Sequence, residues 1–311
     1  MDKLNSFFEF ILNVILTTTG HLIWLLGLIF IFGLLLYFLS RITRITYVKT
    51  AGEKLDIIVT GWIGTPVHEI GHAIFCILFR HKIIAIKLFN PDPSDGTLGY
   101  VNHSYNPSSR YQRIGNFFIG IGPVLFGAFV LYALLYFLMP EIQAGISQID
   151  SKNFIIEQNI NSASRLAMWE TFKYSAGCIL SLIFSVENLT NWKFWIFLYL
   201  SFSVASHMQL SPPDIKGAAS GLLTLVITLL IFNLIILSVE AFGFHSVFGE
   251  FWKYIKLETY SFYINGFLGV LGSLFIYAFF ISGINFVVSY ILLNIYNGLI
   301  KKNGIINPFW I

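Results

Sequence analysis

The chain has 311 residues, of which 56% are hydrophobic and only 11% charged, with a mean hydropathy of +0.73 and a formal net charge of +3. That balance belongs to polytopic membrane proteins. It excludes a disulfide framework, since Cys76 and Cys178 are the only cysteines, and it excludes nucleic acid as a partner, since Lys and Arg form no long run or aromatic-interleaved patch.

From the N-terminus, the apolar run Phe7 to Leu16 has no small-residue cleavage site after it, so it reads as an uncleaved start, too short for a full crossing. Six longer runs follow: His21 to Leu39, Ile57 to Phe79, Gly115 to Met139, Phe194 to Met208, Ile215 to Leu237 and Ile264 to Leu293. The fourth is short, and the last fits one tilted helix or two short ones. The expected fold is an all-α polytopic membrane protein with about six transmembrane helices and one small β-hairpin. It divides into an N-terminal membrane helix region (1–56), a catalytic membrane core (57–238), and a C-terminal aromatic loop and membrane helix (239–311).

The second run contains His68-Glu69-Ile70-Gly71-His72, an HExxH pattern. Two histidines four residues apart share one helical face, with Cβ atoms about 5–6 Å apart, so both imidazoles reach one metal ion. Glu69 lies beside that ion as the general base for its water. With seven His and ten Glu in the chain, the pattern arises by chance in only about 0.5% of such sequences. Ionisable residues inside a membrane run are costly and mark function. Cys76, one turn beyond His72, reads as a small packing residue rather than a ligand.

After this helix, Ile83 to Phe89 and Thr97 to Tyr105 read as two strands about the turn Asn90-Pro91-Asp92-Pro93-Ser94-Asp95-Gly96, a hairpin over 83–105. An extended substrate could add itself as a further strand to such an edge. In the third run, glycines permit close helix approach and Pro123 predicts a local break or kink. Gly217 and Gly221 form a GxxxG in the fifth run. The polar interval 140–173 is expected outside the bilayer, Ser175 to Val186 is too short to count as a crossing, and the aromatics from Phe242 to Tyr254 suit the headgroup zone. Arg41, Arg44, Lys49 and Lys54 precede the motif run; Arg80, Lys82, Lys87, Arg110 and Arg113 follow it, giving the following side a slight bias toward the cytoplasm.

A catalytic zinc keeps three protein ligands and an open position. The carboxylates in or near the apolar runs reduce to Asp56, Glu187, Asp214 and Glu240. Asp214 stands out, because Pro212 and Pro213 interrupt the helix where a carboxylate begins the next run. An N-cap role for Asp214 is compatible with ligation. His207 is the rival donor.

On these blocks the chain resembles the site-2 protease family of intramembrane zinc metalloproteases. His68-Glu69-Ile70-Gly71-His72-Ala73 is similar to its HExGHxxxA helix, Gly96 to Val101 to the end of its membrane-associated hairpin, Gly122-Pro123 to its GPxxN element, and Asp214 to the aspartate of its NxxPxxxLDG motif. The chain departs from the pattern at Ser206, Ile215 and Phe126, where the family has Asn, Gly and Asn; His207 or Asn116 would have to replace the missing amide. The resemblance covers about residues 57 to 238. It implies a metalloendopeptidase with one Zn2+ per chain on His68, His72 and Asp214 and with Glu69 as catalytic base. The implied partners are the lipid bilayer and a membrane-protein or membrane-associated peptide substrate. The implied location is a multi-pass integral membrane protein of the cell (cytoplasmic) membrane with the zinc toward the cytoplasm. The alternative is a metal-binding but non-proteolytic membrane scaffold or transporter of the same fold.

Overall fold

A computed structural model describes residues 2–52, 57–91, 97–141, 177, 181, 185–301 and 304–309. Asp56, Cys178, the hairpin turn 92–96, most of Ser175 to Val186 and the polar interval beyond Glu141 lie outside the described residues.

Among the described residues the molecule is mostly helical, with one two-stranded sheet. The principal helices are α1 (Asp2–Ala51), α2 (Trp62–Leu78), α3 (Arg110–Leu138), α4 (Trp192–Ser206), α5 (Pro212–Ala241) and α6 (Ser261–Tyr296). Each of the six runs expected to cross the membrane falls on one of them. Four stretches are long and apolar enough for a crossing: Phe7–Thr50, Arg110–Leu138, Pro212–Ala241 and His245–Ile300. α2 and α4, with 17 and 15 residues, are only about 26 and 22 Å long against a hydrocarbon core of about 30 Å.

Two expectations about element length change. Phe7 to Leu16 is no separate segment but the first part of α1, which continues through His21 to Leu39 without a break. The last run is one 36-residue helix.

α3 lies at the centre, packed against α2, α4, α5 and α6, while α1 pairs chiefly with α6 and α5. Its inward stripe Phe117, Ile121, Val124, Ala128, Leu131 and Leu135 repeats at helical spacing and meets Phe194 and Phe197 of α4 and Phe275 and Ala278 of α6. Lipid tails are as apolar as these side chains, so close packing and polar contacts must hold the bundle. Ser40 donates to the Ala205 carbonyl (2.9 Å), Asn285 donates to Ser206 Oγ (2.7 Å), and Asn233 donates to Thr18 Oγ1 (3.1 Å). These bonds tie α1 to α4, α6 to α4 and α5 to α1.

Pro123 does not break α3, which runs unbroken from Arg110 to Leu138. Backbone contact is close here: a Cβ on Gly71 would fall 2.9 Å from the Gly122 carbonyl and Pro123 Cα, and one on Gly122 would fall 2.7 Å from the Gly71 carbonyl. The two glycines let α2 and α3 touch main chain to main chain. In the GxxxG of α5 only Gly221 is packed, a Cβ there falling 2.1 Å from Phe117 N, whereas Gly217 has nothing within 4 Å.

The hairpin forms as expected, with shorter strands: β1 (Lys82–Lys87) pairs antiparallel with β2 (Tyr100–Ser104), with an irregularity between Ile83 and Ala85. Arg80, at φ 57, turns the chain out of α2 into β1. α3 secures that exit, since Tyr111 donates to the Leu78 carbonyl (2.7 Å) and Gln112 Nε2 to that of Arg80 (2.8 Å).

Candidate metal centre

A π-helical turn at Ile57–Gly61 leads into α2, which carries His68, Glu69 and His72. The fold brings Asp214, from the first turn of α5, against both histidines. The Nε2 atoms of His68 and His72 are 3.2 Å apart, His72 Nε2 is 3.2 Å from Asp214 Oδ1, and His68 Nε2 is 3.6 Å from Asp214 Oδ2. Donors at 2.0–2.1 Å from a tetrahedral ion lie about 3.3–3.4 Å from one another. The three side chains lie near that spacing and could hold a metal ion.

Tautomer chemistry points the same way. His72 Nδ1 lies 2.7 Å from the Ile119 carbonyl and His68 Nδ1 2.8 Å from that of His207. Carbonyl oxygens only accept, so each Nδ1 carries a proton, and each Nε2 is the nitrogen turned toward the other ring and toward the carboxylate. The two Nε2 atoms and the carboxylate are thus the donor set that a metal ion would take.

Both carbonyls are ones that regular helix bonding leaves over. Pro123 has no N–H, so the carbonyl four residues earlier, Ile119, has no helical donor and is free for His72. His207 caps the C-terminus of α4, where carbonyls are orphaned. Asp214 is not the N-cap of α5; Ser211 is, and Asp214 closes a capping box with it. Asp214 Oδ2 accepts from Ser211 N (2.7 Å) and Ser211 Oγ (2.6 Å). The capping bonds and the approach to the histidines coexist on one carboxylate.

The other candidates lie elsewhere. His207 contributes its main-chain oxygen, while its ring Nδ1 is 3.2 Å from the Ser203 carbonyl. Cys76 is fully buried, outside the donor group. Glu187 is exposed, and Glu240 accepts from Trp252 and pairs with Lys256 at the other end of α5. Of the positions where the resemblance expects other residues, Ser206 is held by Asn285 and Phe202, Phe126 stacks on Phe129, and Ile215 is 47% exposed.

The three donors open onto a cleft of about 920 Å³ lined by α1, β2 and the start of α5. Glu69 is 6% exposed, and its carboxylate bonds to no described residue. Gly99 packs on it, a Cβ there falling 2.8 Å from Glu69 Cγ. Asn116 is 7% exposed, lines the same cleft, and its amide likewise bonds to no described residue. Two buried polar groups facing one cleft without partners among the described residues are placed to meet a ligand.

Sequence reasoning missed the residues that orient the donors. Ser211 was readable as the first residue of a capping box, and Ile119 as the carbonyl four residues before a mid-helix proline. The His207 carbonyl left no such signal. No protein-family model, curated protein or solved structure matches the chain.

Proposed function

We propose that the chain is a membrane-embedded zinc endopeptidase of the site-2 protease kind, hydrolysing a peptide bond in or near the bilayer. The observation that carries this reading is the convergence of His68, His72 and Asp214 beside a buried, unpartnered Glu69. His68, His72 and Asp214 would hold Zn2+. When bound, zinc supplies Lewis acidity, which lowers the pKa of a ligated water to about 7 and polarises a carbonyl.

The chain's own residues do the rest. Glu69 takes the proton of the attacking water and returns it to the leaving amine. Asn116 Nδ2 donates to the scissile or neighbouring carbonyl, where negative charge develops. β2 has no strand partner but β1 among the described residues, and Tyr100 to His103 line the cleft, so an extended substrate can pair with it. A helical substrate must unwind first, because its carbonyls are already hydrogen-bonded. In this reading α4 also crosses, α2 enters and leaves the membrane on the hairpin side, and that side faces the cytoplasm.

The test is zinc per purified chain together with cleavage of a membrane-peptide library. About one zinc per chain is expected in the wild type and in Glu69→Gln. His68→Ala, His72→Ala and Asp214→Ala should lose it, and only the wild type should cleave. Zinc retained in Asp214→Ala would sink the ligand set; cleavage surviving Glu69→Gln would sink the mechanism. Bound zinc without Glu69-dependent cleavage would make the chain a metal-binding scaffold or transporter instead.

A further inference from the structure

The cleft is walled on one side by a stripe of α1, where Tyr37, Arg41, Arg44, Ile45, Val48 and Lys49 recur at helical spacing. Three of these are cations. Arg41 and Lys49 are exposed, and Lys49 Nζ donates to the Asn307 carbonyl (2.9 Å), which holds the ammonium at the rim. Among the described residues the only carboxylates lining the cleft are Glu69 and Asp214. Both belong to the metal centre, where Asp214 accepts from Ser211 and lies 3.6 and 3.2 Å from His68 and His72. With a divalent cation in place, Arg41 and Lys49 leave the described lining with a net positive field even with Arg44 set aside as engaged elsewhere. Low-dielectric walls focus such a field on whatever enters.

The spacing matters as much as the sign. Arg41 and Lys49 are eight residues apart on one helix, about 12 Å. A strand rises about 3.3 Å per residue and presents every second side chain to one face, so residues i and i+4 of an extended peptide span about 13 Å on that face. A strand lying beside β2 can thus set two side chains against the two ends of the α1 stripe.

We propose that the substrate segment is acidic, with Asp or Glu about four residues apart on the face turned toward α1, recognised by Arg41 and Lys49. This rests on the peptidase reading and names its substrate class. A lipid headgroup would also answer to the charge, but the strand-length spacing and the shared cleft favour a peptide.

The test uses the full zinc-loaded chain in discs of zwitterionic lipid and three fluorescent peptide hydroxamates on one apolar frame. They carry two Glu, two Ala or two Lys about four residues apart. Each exposed charge pair contributes up to a few-fold, so two pairs should make the Glu probe about tenfold tighter than the Lys probe, with Ala between. The gap should shrink as salt shortens the Debye length from about 10 Å at 0.1 M to about 3 Å at 1 M. The double variant Arg41→Glu/Lys49→Glu should reverse the order at unchanged zinc content. Should it misfold, Arg41→Gln/Lys49→Gln should bring the probes within about twofold of one another.

Equal zinc-dependent binding of all three probes would overturn the charge assignment and leave the peptidase reading standing. So would a reversal variant that keeps the original order but loses co-purified anionic lipid, which would make the stripe a lipid anchor. If no probe binds better with zinc than without, the peptidase reading fails and this one with it.

Discussion

Pro123 lacks an N–H, and the carbonyl this leaves unbonded, that of Ile119, is the one that fixes His72. The cost of a proline inside a helix is ordinarily about 3 kcal/mol or more, yet here the freed acceptor is satisfied from α2. Pro123→Ala restores an amide that competes for Ile119, so His72 loses its tautomer and orientation. Zinc affinity should fall about tenfold, the lower edge of what outer partners of metal ligands usually contribute, while helix stability holds or rises. Chelator competition alongside thermal unfolding measures both; unchanged affinity would separate the proline from the metal centre. The meeting of His68 and His72 was legible in sequence because they sit about one helical turn apart, where spacing alone fixes their geometry. Asp214 was legible by elimination and by its two prolines but not by spacing, since its approach depends on how α5 packs against α3.

Packing between elements was read less completely, because glycine spacing alone does not say which glycine meets a neighbour. Gly217 and Gly221 look equivalent in sequence, but only Gly221 touches the α3 backbone. Gly221→Ala should cost about 1–3 kcal/mol by overpacking, whereas Gly217→Ala, with open space around it, should stay within about 0.5 kcal/mol. Detergent unfolding midpoints compare them, and equal effects would contradict the packing. The hairpin has its own weak point in a histidine pair, His81 Nδ1 lying 3.0 Å from His103 Nδ1 and His81 Nε2 donating to the Gln112 carbonyl (2.8 Å). Burial lowers the pKa of His81 against the opposing effect of that carbonyl; burial, then the charges of His81 and His72, lower that of His103. The folded hairpin therefore binds fewer protons than the unfolded chain below the free-histidine pKa of about 6.5. Its anchoring is complete above that pH and is lost progressively as pH falls toward the lowered values. Hydrogen exchange at β1 and β2 should accelerate as pH falls below about 6.5, and His103→Gln should flatten the profile. A pH-independent exchange rate in the unmodified chain would argue against the pair as the anchor.

Across the whole molecule, polar groups gather at two ends, and α1 measures the distance between them. His21, near one end, lies 3.0 Å from Glu258, while Trp24 donates to Asn265 (2.8 Å) and Lys256 pairs with Glu240. Arg41 to Lys49, near the other end, line the metal cleft with the hairpin. From His21 to Arg44 is 23 residues of continuous helix, about 35 Å, slightly more than a hydrocarbon core of about 30 Å. A membrane lying between the two ends leaves each in an interface, and it places the exposed aromatics Phe242, Phe244 and Phe251 at the headgroup level of the far one. Single cysteines at Ser104 and Thr259, in a chain with Cys76 and Cys178 replaced by Ser, should react with an impermeant thiol reagent from opposite sides of sealed vesicles. The Ser104 side should be the cytoplasmic one, because Arg41, Arg44 and Lys49 gather there with Arg80, Lys82, Lys87, Arg110 and Arg113, whereas the far end balances Lys253 and Lys256 against Glu240, Glu250 and Glu258. Charge counted along the sequence split the first two groups to either side of the motif helix and left the orientation nearly undecided. Folding unites them, because the α1 cations line the same cleft as the hairpin that follows Arg80, so α1 and α2 end at one face. Labelling of both positions from one side would therefore remove the membrane from between the two polar ends and, with it, the placement of the metal centre at the cytoplasmic interface.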